Sequence, residues 1–191
     1  AAAGLAEIEA TSFVPAHIIP QFADADAVSA GIGEIRNAQV SALVVNLKGA
    51  RRAFVAGLTK VNYVVSASEA HSLANARRST DAALDEFDLI VAERAAQGLS
   101  ERVALGCGVA TSFGCTLQGE VPEARVLAIV DRLARAGADE IMLADTVGYG
   151  DPARVRRLFG QAAGIVGPRP LAAHFHDTRG LGLANVVAAL S

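Results

Sequence analysis

Short apolar or β-branched runs recur along the chain at Ala6–Phe13, Ser41–Asn46, Val61–Ser66, Val103–Ala110, Glu140–Asp145 and Leu171–His176, each bounded by polar or glycine-containing turns. They predict six strands. Between them, apolar positions repeat at helical spacing over Asp24–Asn37, Gly49–Leu58, Glu69–Gln97, Pro122–Ala136 and Pro152–Val166, and a further helix is expected after Gly180. The stretch Ser68–Arg102 is the longest interval between strands. Within it, Ser79-Thr80-Asp81 has the hydroxyl and carboxylate pattern that starts a second helix.

Strict alternation of strand and helix implies an all-parallel sheet with right-handed crossovers, either doubly wound or closed into a barrel. Two observations favour the barrel. Polar residues end nearly every strand (Ser12, Asn46, Ser66, Asp145, His176), and no glycine-rich dinucleotide fingerprint follows the first one. The expected fold is therefore α/β, a (β/α)8 TIM barrel. A complete barrel takes about 250 residues and eight strands, so the 191 residues hold about six central βα units, with the first and last strands outside the sequence. The first residue is not Met and a strand pattern starts almost at once, so the sequence reads as an excerpt. Residues 1–191 are expected to form one partial TIM-barrel catalytic domain.

Composition narrows the function classes. With 52% hydrophobic and 19% charged residues the chain can bury a substantial core. Seventeen basic residues are scattered among 20 acidic ones for a net charge of −3, without the basic blocks that grip a phosphate backbone, so no nucleic-acid partner is expected. Apolar stretches such as Ala42–Val45 and Val186–Leu190 are far shorter than the roughly 18 residues that span a bilayer, and no membrane segment is expected. The start lacks a signal-peptide pattern, and Cys107 and Cys115 make a poor disulfide framework. A cytoplasmic location follows as the expectation.

The sharpest chemical feature is His174-Phe175-His176-Asp177-Thr178. Residues i and i+2 of a strand share a face, so the two imidazoles point one way and Phe175 the other. Such a pair, completed by a carboxylate, holds a divalent metal with open positions; two hydrogen-bonded structural histidines are the alternative. Asp145 closes the preceding strand. It either caps the turn through Thr146-Val147-Gly148 or faces the same mouth as His174, where it orients a ligand or takes a proton. Glu7 and Glu9 alternate on the first strand; Glu9 is the candidate for a chemical task, Glu7 a solvated strand start. Ser12 and Asn46 are neutral hydrogen-bonding groups at strand ends, suited to a polar substrate. Lys48 is read as an exposed loop charge, with an anion contact as the alternative, His17 and His71 as surface or packing residues, and neither cysteine has an adjacent base that would activate it.

Taken together, Glu9-Ala10-Thr11-Ser12-Phe13, Asn46-Leu47-Lys48-Gly49, Ala67-Ser68-Glu69, Gly114-Cys115, Ala144-Asp145-Thr146-Val147-Gly148 and His174-Phe175-His176-Asp177-Thr178 resemble, in the same order, the 3-hydroxy-3-methylglutaryl-CoA lyases. The resemblance runs the whole chain. It implies that His174 and His176 are two ligands of a divalent cation, Mg2+ or Mn2+. The other two ligands, an aspartate on strand one and an asparagine just after strand eight, would lie outside this sequence, as would an enolate-stabilising arginine on strand one and a catalytic cysteine on a glycine-rich loop after strand eight. It implies that His174, Asp145 and Glu9 serve catalysis and that Ser12, Asn46 and Thr146 contact an acyl-CoA substrate. It further implies a homo-oligomer, dimer or tetramer. Two departures stand out: Thr116-Leu117-Gln118 replaces the expected proline, aromatic and glutamate, and Met142 replaces a small polar residue.

The implied reaction cleaves a β-hydroxy acyl-CoA: the hydroxyl loses its proton, the neighbouring carbon–carbon bond breaks, and an acetyl-CoA enolate leaves. With the parent substrate the other product is acetoacetate. Related barrels that run a condensation of the isopropylmalate or homocitrate type, or an aldolase acting on a 4-hydroxy-2-oxo acid, share the His-X-His strand and are the nearest alternatives. A non-catalytic barrel remnant is the alternative from another class.

Overall fold

The computed structural model describes residues 4–32, 35 and 38–191. Its strands are β1 (Glu7–Ser12), β2 (Gln39–Val44), β3 (Lys60–Ser66), β4 (Ala104–Ala110), β5 (Glu140–Asp145) and β6 (Leu171–Phe175). Its helices are α1 (Ala25–Ile32), α2 (Leu47–Val55), α3 (Glu69–Ala76), α4 (Thr80–Ala96), α5 (Glu123–Ala136), α6 (Pro152–Val166) and α7 (Gly182–Ala189). The strands are parallel and neighbour one another in chain order, β1-β2-β3-β4-β5-β6. A doubly wound sheet reverses its order at a switch point; an unbroken order is that of a partial TIM barrel. Gly33, Glu34, Arg36 and Asn37, where the sequence predicts the end of the first helix, lie outside the described residues.

The chain packs as two compact units, Ala1–Val64 with Glu86–Gly106 and Val65–Asp85 with Cys107–Ser191. In the first, Val44, Val61, Phe87, Ile90 and Leu105 are buried, and the Tyr63 and Phe87 rings stack with centroids 5.9 Å apart. In the second, Val126, Ile129, Val130 and Leu133 recur along α5 at the i, i+3, i+4, i+7 spacing that makes one buried stripe, and Gly137 ends the helix in the left-handed region (φ 103°). Each fully buried Leu or Ile contributes about 1.5–3 kcal/mol. Asp151 caps α6 by accepting from the Ala153 and Arg154 N–H groups, both at 3.0 Å, and Pro152 needs no partner at the first helical position.

The predicted Glu69–Gln97 helix is two helices. α3 stops where Arg77 turns left-handed (φ 55°), and the Ser79 hydroxyl accepts from the Ala82 N–H at the start of α4. β2 runs two residues earlier than the Ser41–Asn46 pattern, because Asn46 belongs to the next helix. Its Oδ1 accepts from the Gly49 N–H at 2.8 Å as the N-cap of α2. β6 ends at Phe175, one residue before the predicted end. No helix of the described residues is long and apolar enough to cross a membrane.

Candidate functional site

In the first unit the polar residues of β1 and β3 meet across β2. Glu7 and Glu9 share a face, as do Lys60 and Asn62. The Lys60 ammonium donates to Glu7 Oε2 at 2.8 Å, and Asn62 Nδ2 donates to Glu9 Oε2 at 2.8 Å, with Ser41 Oγ at 3.4 Å. Lys60 is almost fully buried. Glu7 is therefore the counter-charge of a buried ammonium rather than the solvated strand start its position suggested. Gly106 makes room for this row, since a Cβ there would lie 2.4 Å from Asn62 Oδ1.

The register of β1 against β2 shifts between Glu9 and Thr11: Glu9 pairs with Ser41, Thr11 with Ala42 and Ser12 with Leu43. Ser41 and Leu43 share a face of β2, so the bulge at Ala10 brings Ser12 onto the face of Glu9, which plain alternation would forbid. Ser12 is buried, and its hydroxyl donates to the Leu43 carbonyl at 3.3 Å. Beyond it, Phe13, Pro15, Ala16, His17, Asn46, Lys48, Gly49 and Arg52 line a cavity of about 470 Å3. Lys48 stands on the first turn of α2, not in a loop as read from the sequence.

In the second unit the paired imidazoles sit at the end of β6 as the spacing predicts. His174 Nε2 and His176 Nε2 are 3.1 Å apart, both rings exposed, while Phe175 on the opposite face packs on Phe113 and Phe159 at 5.9 and 6.0 Å. Two nitrogens bound to one metal at about 2.1 Å and at right angles to each other lie roughly 3 Å apart, so the pair fits two adjacent positions of a metal ion. Among the described residues, no third His, Cys, Asp or Glu completes a metal-binding group with them.

Asp145 is placed differently from the expectation that it shares a mouth with His174. The β5–β6 register sets Asp145 beside Phe175 and Ala144 beside His174, so the carboxylate leaves the sheet on the Phe175 side. It is fully buried, and both oxygens are taken: Oδ1 accepts from the Tyr149 N–H and Oδ2 from the Gly150 N–H, each at 2.8 Å. Asp145 thus caps the Thr146–Gly150 turn, with one backbone donor on each oxygen. Thr146 Oγ1 likewise accepts from the Thr111 N–H at 2.8 Å, which leaves its own proton to donate.

Thr111 is a residue the sequence reading missed. It is a non-glycine at φ 59°, fully buried. Its hydroxyl donates to the Ala110 carbonyl at 2.6 Å, accepts from the Ser68 N–H at 3.0 Å, and lies 3.0 Å from Ser66 Oγ. Ser66 in turn meets His71 Nδ1 at 3.0 Å, and burial holds the His71 imidazole below its ordinary value of 6.5. Nothing in the sequence announces a left-handed threonine. Ser66 and Ser68 ending a strand and His71 one helical turn on were the available signal. Burial drives the Cys107 thiol up, out of reach of ionisation. At Cys115 burial also opposes ionisation, but the Ser68 hydroxyl and the Gln118 and Leu117 N–H groups outweigh it and lower the thiol.

Comparison with known proteins follows the same lines. A family model described as HMGL-like matches residues 1–191. The cytoplasmic 3-hydroxy-3-methylglutaryl-CoA lyase of Homo sapiens is 33% identical over 187 residues, covering 98% of this chain and 50% of the relative. The hydroxymethylglutaryl-CoA lyase YngG of Bacillus subtilis is 35% identical over 187 residues, covering 98% and 61%. A solved HMG-CoA lyase from Acinetobacter baumannii, in complex with coenzyme A and 3-methylmalate, superposes with a TM-score of 0.91 at 38% identity, covering 98% of this chain and 60% of that one. The chain thus spans half to three-fifths of the length of these proteins.

Proposed function

The chain belongs to the HMGL-like family, and from that premise we propose that the protein it represents is a divalent-metal-dependent carbon–carbon lyase. Its substrate is 3-hydroxy-3-methylglutaryl-CoA or a close β-hydroxy acyl-CoA, and its products are acetyl-CoA and acetoacetate or the matching keto acid. The observation that carries the reading is the His174–His176 pair, with Nε2 atoms 3.1 Å apart at a strand end. Two imidazole nitrogens set this close can both be shared with one cation. His174 and His176 would hold Mg2+ or Mn2+, which when bound supplies Lewis-acid polarisation of the substrate oxygens.

The remaining roles fall to groups by what their atoms have left to give. An imidazole nitrogen committed to a cation is not a base at that atom, so His174 serves as a ligand rather than as the acceptor of the hydroxyl proton. Asp145, with a backbone N–H on each oxygen, serves as an anchor of the Thr146–Gly150 turn. Glu9 keeps one carboxylate oxygen without a hydrogen bond among the described residues while Asn62 orients the other, which suits proton transfer. Ser12, Asn46 and Thr146 are the polar groups assigned to the acyl-CoA. Bond cleavage sends the electron pair of the carbon–carbon bond into the thioester enolate, which a proton then quenches to acetyl-CoA. A homo-oligomer in the cytoplasm completes the proposal.

The deciding experiment measures acetyl-CoA release from 3-hydroxy-3-methylglutaryl-CoA by the full-length protein, with Mn2+ affinity followed by calorimetry. His174→Ala and His176→Ala should each weaken Mn2+ binding at least tenfold, as loss of one ligand nitrogen implies. Unchanged affinity in both variants, or no cleavage by the unaltered protein with metal supplied, would remove the proposal.

A further inference from the structure

We propose that Arg179 is an oxyanion-recognition residue, held in place over the Tyr149 ring, and that its ligand is a carboxylate of the acyl substrate. This rests on the lyase reading above. The three residues Gly114, Tyr149 and Arg179 come from the loops that follow β4, β5 and β6 within the second unit. Gly114, at φ 138°, leaves its Cβ position empty: a Cβ there would sit 2.9 Å from Tyr149 Cδ2, so a side chain at this position would displace the tyrosine. Asp145 fixes the backbone of Tyr149 by accepting its N–H at 2.8 Å. The Arg179 guanidinium carbon lies 4.3 Å from the Tyr149 ring centroid, a close cation–π contact.

The loop that carries Arg179 is equally determined. Thr178 packs against Gly148, whose absent Cβ would lie 2.9 Å from Thr178 Cβ. Asp177 Oδ1 accepts from the Gly182 N–H at 2.7 Å, and Gly180 supplies the positive φ (72°) of the turn. An exposed arginine is ordinarily a loose side chain, and this one is preorganised. Yet its N–H edge makes no hydrogen bond or ion pair among the described residues, although other arginines of this unit, such as Arg125 and Arg157, have a carboxylate partner. A guanidinium held over an aromatic ring keeps its N–H donors free for an oxyanion, and its planar fork fits a carboxylate or phosphate side-on.

Position in the chain adds the rest. Arg179 follows His176 by three residues on the loop leaving β6. The same loop thus carries the imidazole pair and an arginine with free donors, and a substrate that reaches the pair can present its free carboxylate to Arg179. The oxyanion chemistry is shared by the acyl carboxylate and the coenzyme A phosphates, and separate ligands distinguish the two.

The test uses the full-length protein and two probes bound separately in calorimetry, free 3-hydroxy-3-methylglutarate and coenzyme A, alongside cleavage kinetics with the thioester. Arg179→Gln should weaken the free acid about tenfold or more, the loss expected for a charge-assisted pair, and leave coenzyme A unchanged. It should raise KM for the thioester more than it lowers kcat. Tyr149→Phe keeps the ring face and should preserve acid affinity, whereas Tyr149→Ala should lose it in step with Arg179→Gln. A loss confined to coenzyme A would keep the oxyanion role but overturn its assignment to the acyl carboxylate. Equal affinity of Arg179→Gln and the unaltered protein for both probes would overturn the inference, whether or not cleavage is seen. Arg179-dependent binding of the acid without any cleavage would uphold the inference and sink the lyase reading instead.

Discussion

Asp145→Asn swaps one carboxylate oxygen for an NH2 group facing the Tyr149 or Gly150 N–H, donor against donor in a fully buried position. Leaving a buried donor without an acceptor costs about 1–3 kcal/mol, so the variant should melt several degrees lower. Any fall in kcat should track the loosened turn. A melting temperature unchanged beside a hundredfold loss of kcat would return Asp145 to the role of base. His71 makes a different kind of prediction. Burial holds its folded-state value below 6.5, so as pH falls the unfolded chain takes the proton first, and the folded state loses stability from about pH 6.5 downward. Above that pH both states are neutral at this residue and it contributes no pH dependence. His71→Gln should flatten the loss between about pH 6.5 and 5, read from urea midpoints at each pH; an unaltered slope would mean that other groups carry it.

The short elements place side chains that no single residue explains. Gly106 in β4 is the clearest case, since a Cβ there would stand 2.4 Å from Asn62 Oδ1 and 3.3 Å from Lys60 Cε. Gly106→Ala should push the Asn62 amide off Glu9 and destabilise the fold by about 1–3 kcal/mol through overpacking. Asn62→Ala in the same background should recover part of that loss, and a neutral Gly106→Ala would show that the row yields freely. This row also marks the limit of the sequence. All six strands follow from short apolar or β-branched runs, and the face shared by His174 and His176 follows from the period of two within a strand. The common face of Glu9 and Ser12 does not follow, because it depends on a bulge at Ala10 that only the pairing with β2 creates. The side of the sheet that Asp145 takes was equally hidden, since register with β6 decides it. Asn46 read as a strand end because Val44 and Val45 before it are apolar, and its capping role appears only once the Gly49 N–H arrives.

On the scale of the whole chain, the question is what 191 residues do by themselves. β1 and β6 end the sheet order, each with an edge that no other strand of the described residues pairs. α7 packs on α6 and β6 but leaves Leu183, Val187 and Leu190 exposed at 83%, 67% and 84%. An unpaired strand edge, and separately the apolar α7 face by β6, are each a template for association between copies. The 191-residue chain expressed alone should therefore sediment as dimers or larger species at tens of micromolar, on the order of concentrations where exposed apolar surface drives association. Charging the face with Leu183→Lys and Val187→Lys should shift it toward monomer while the far-ultraviolet circular dichroism stays that of a mixed α/β chain. The same segment should cleave no 3-hydroxy-3-methylglutaryl-CoA, because the described residues offer His174 and His176 without a further His, Cys, Asp or Glu to complete their group. Sedimentation as a single monomeric species would show that the edges and the α7 face are innocuous. Cleavage by that monomer would further show that the two imidazoles suffice to hold the metal.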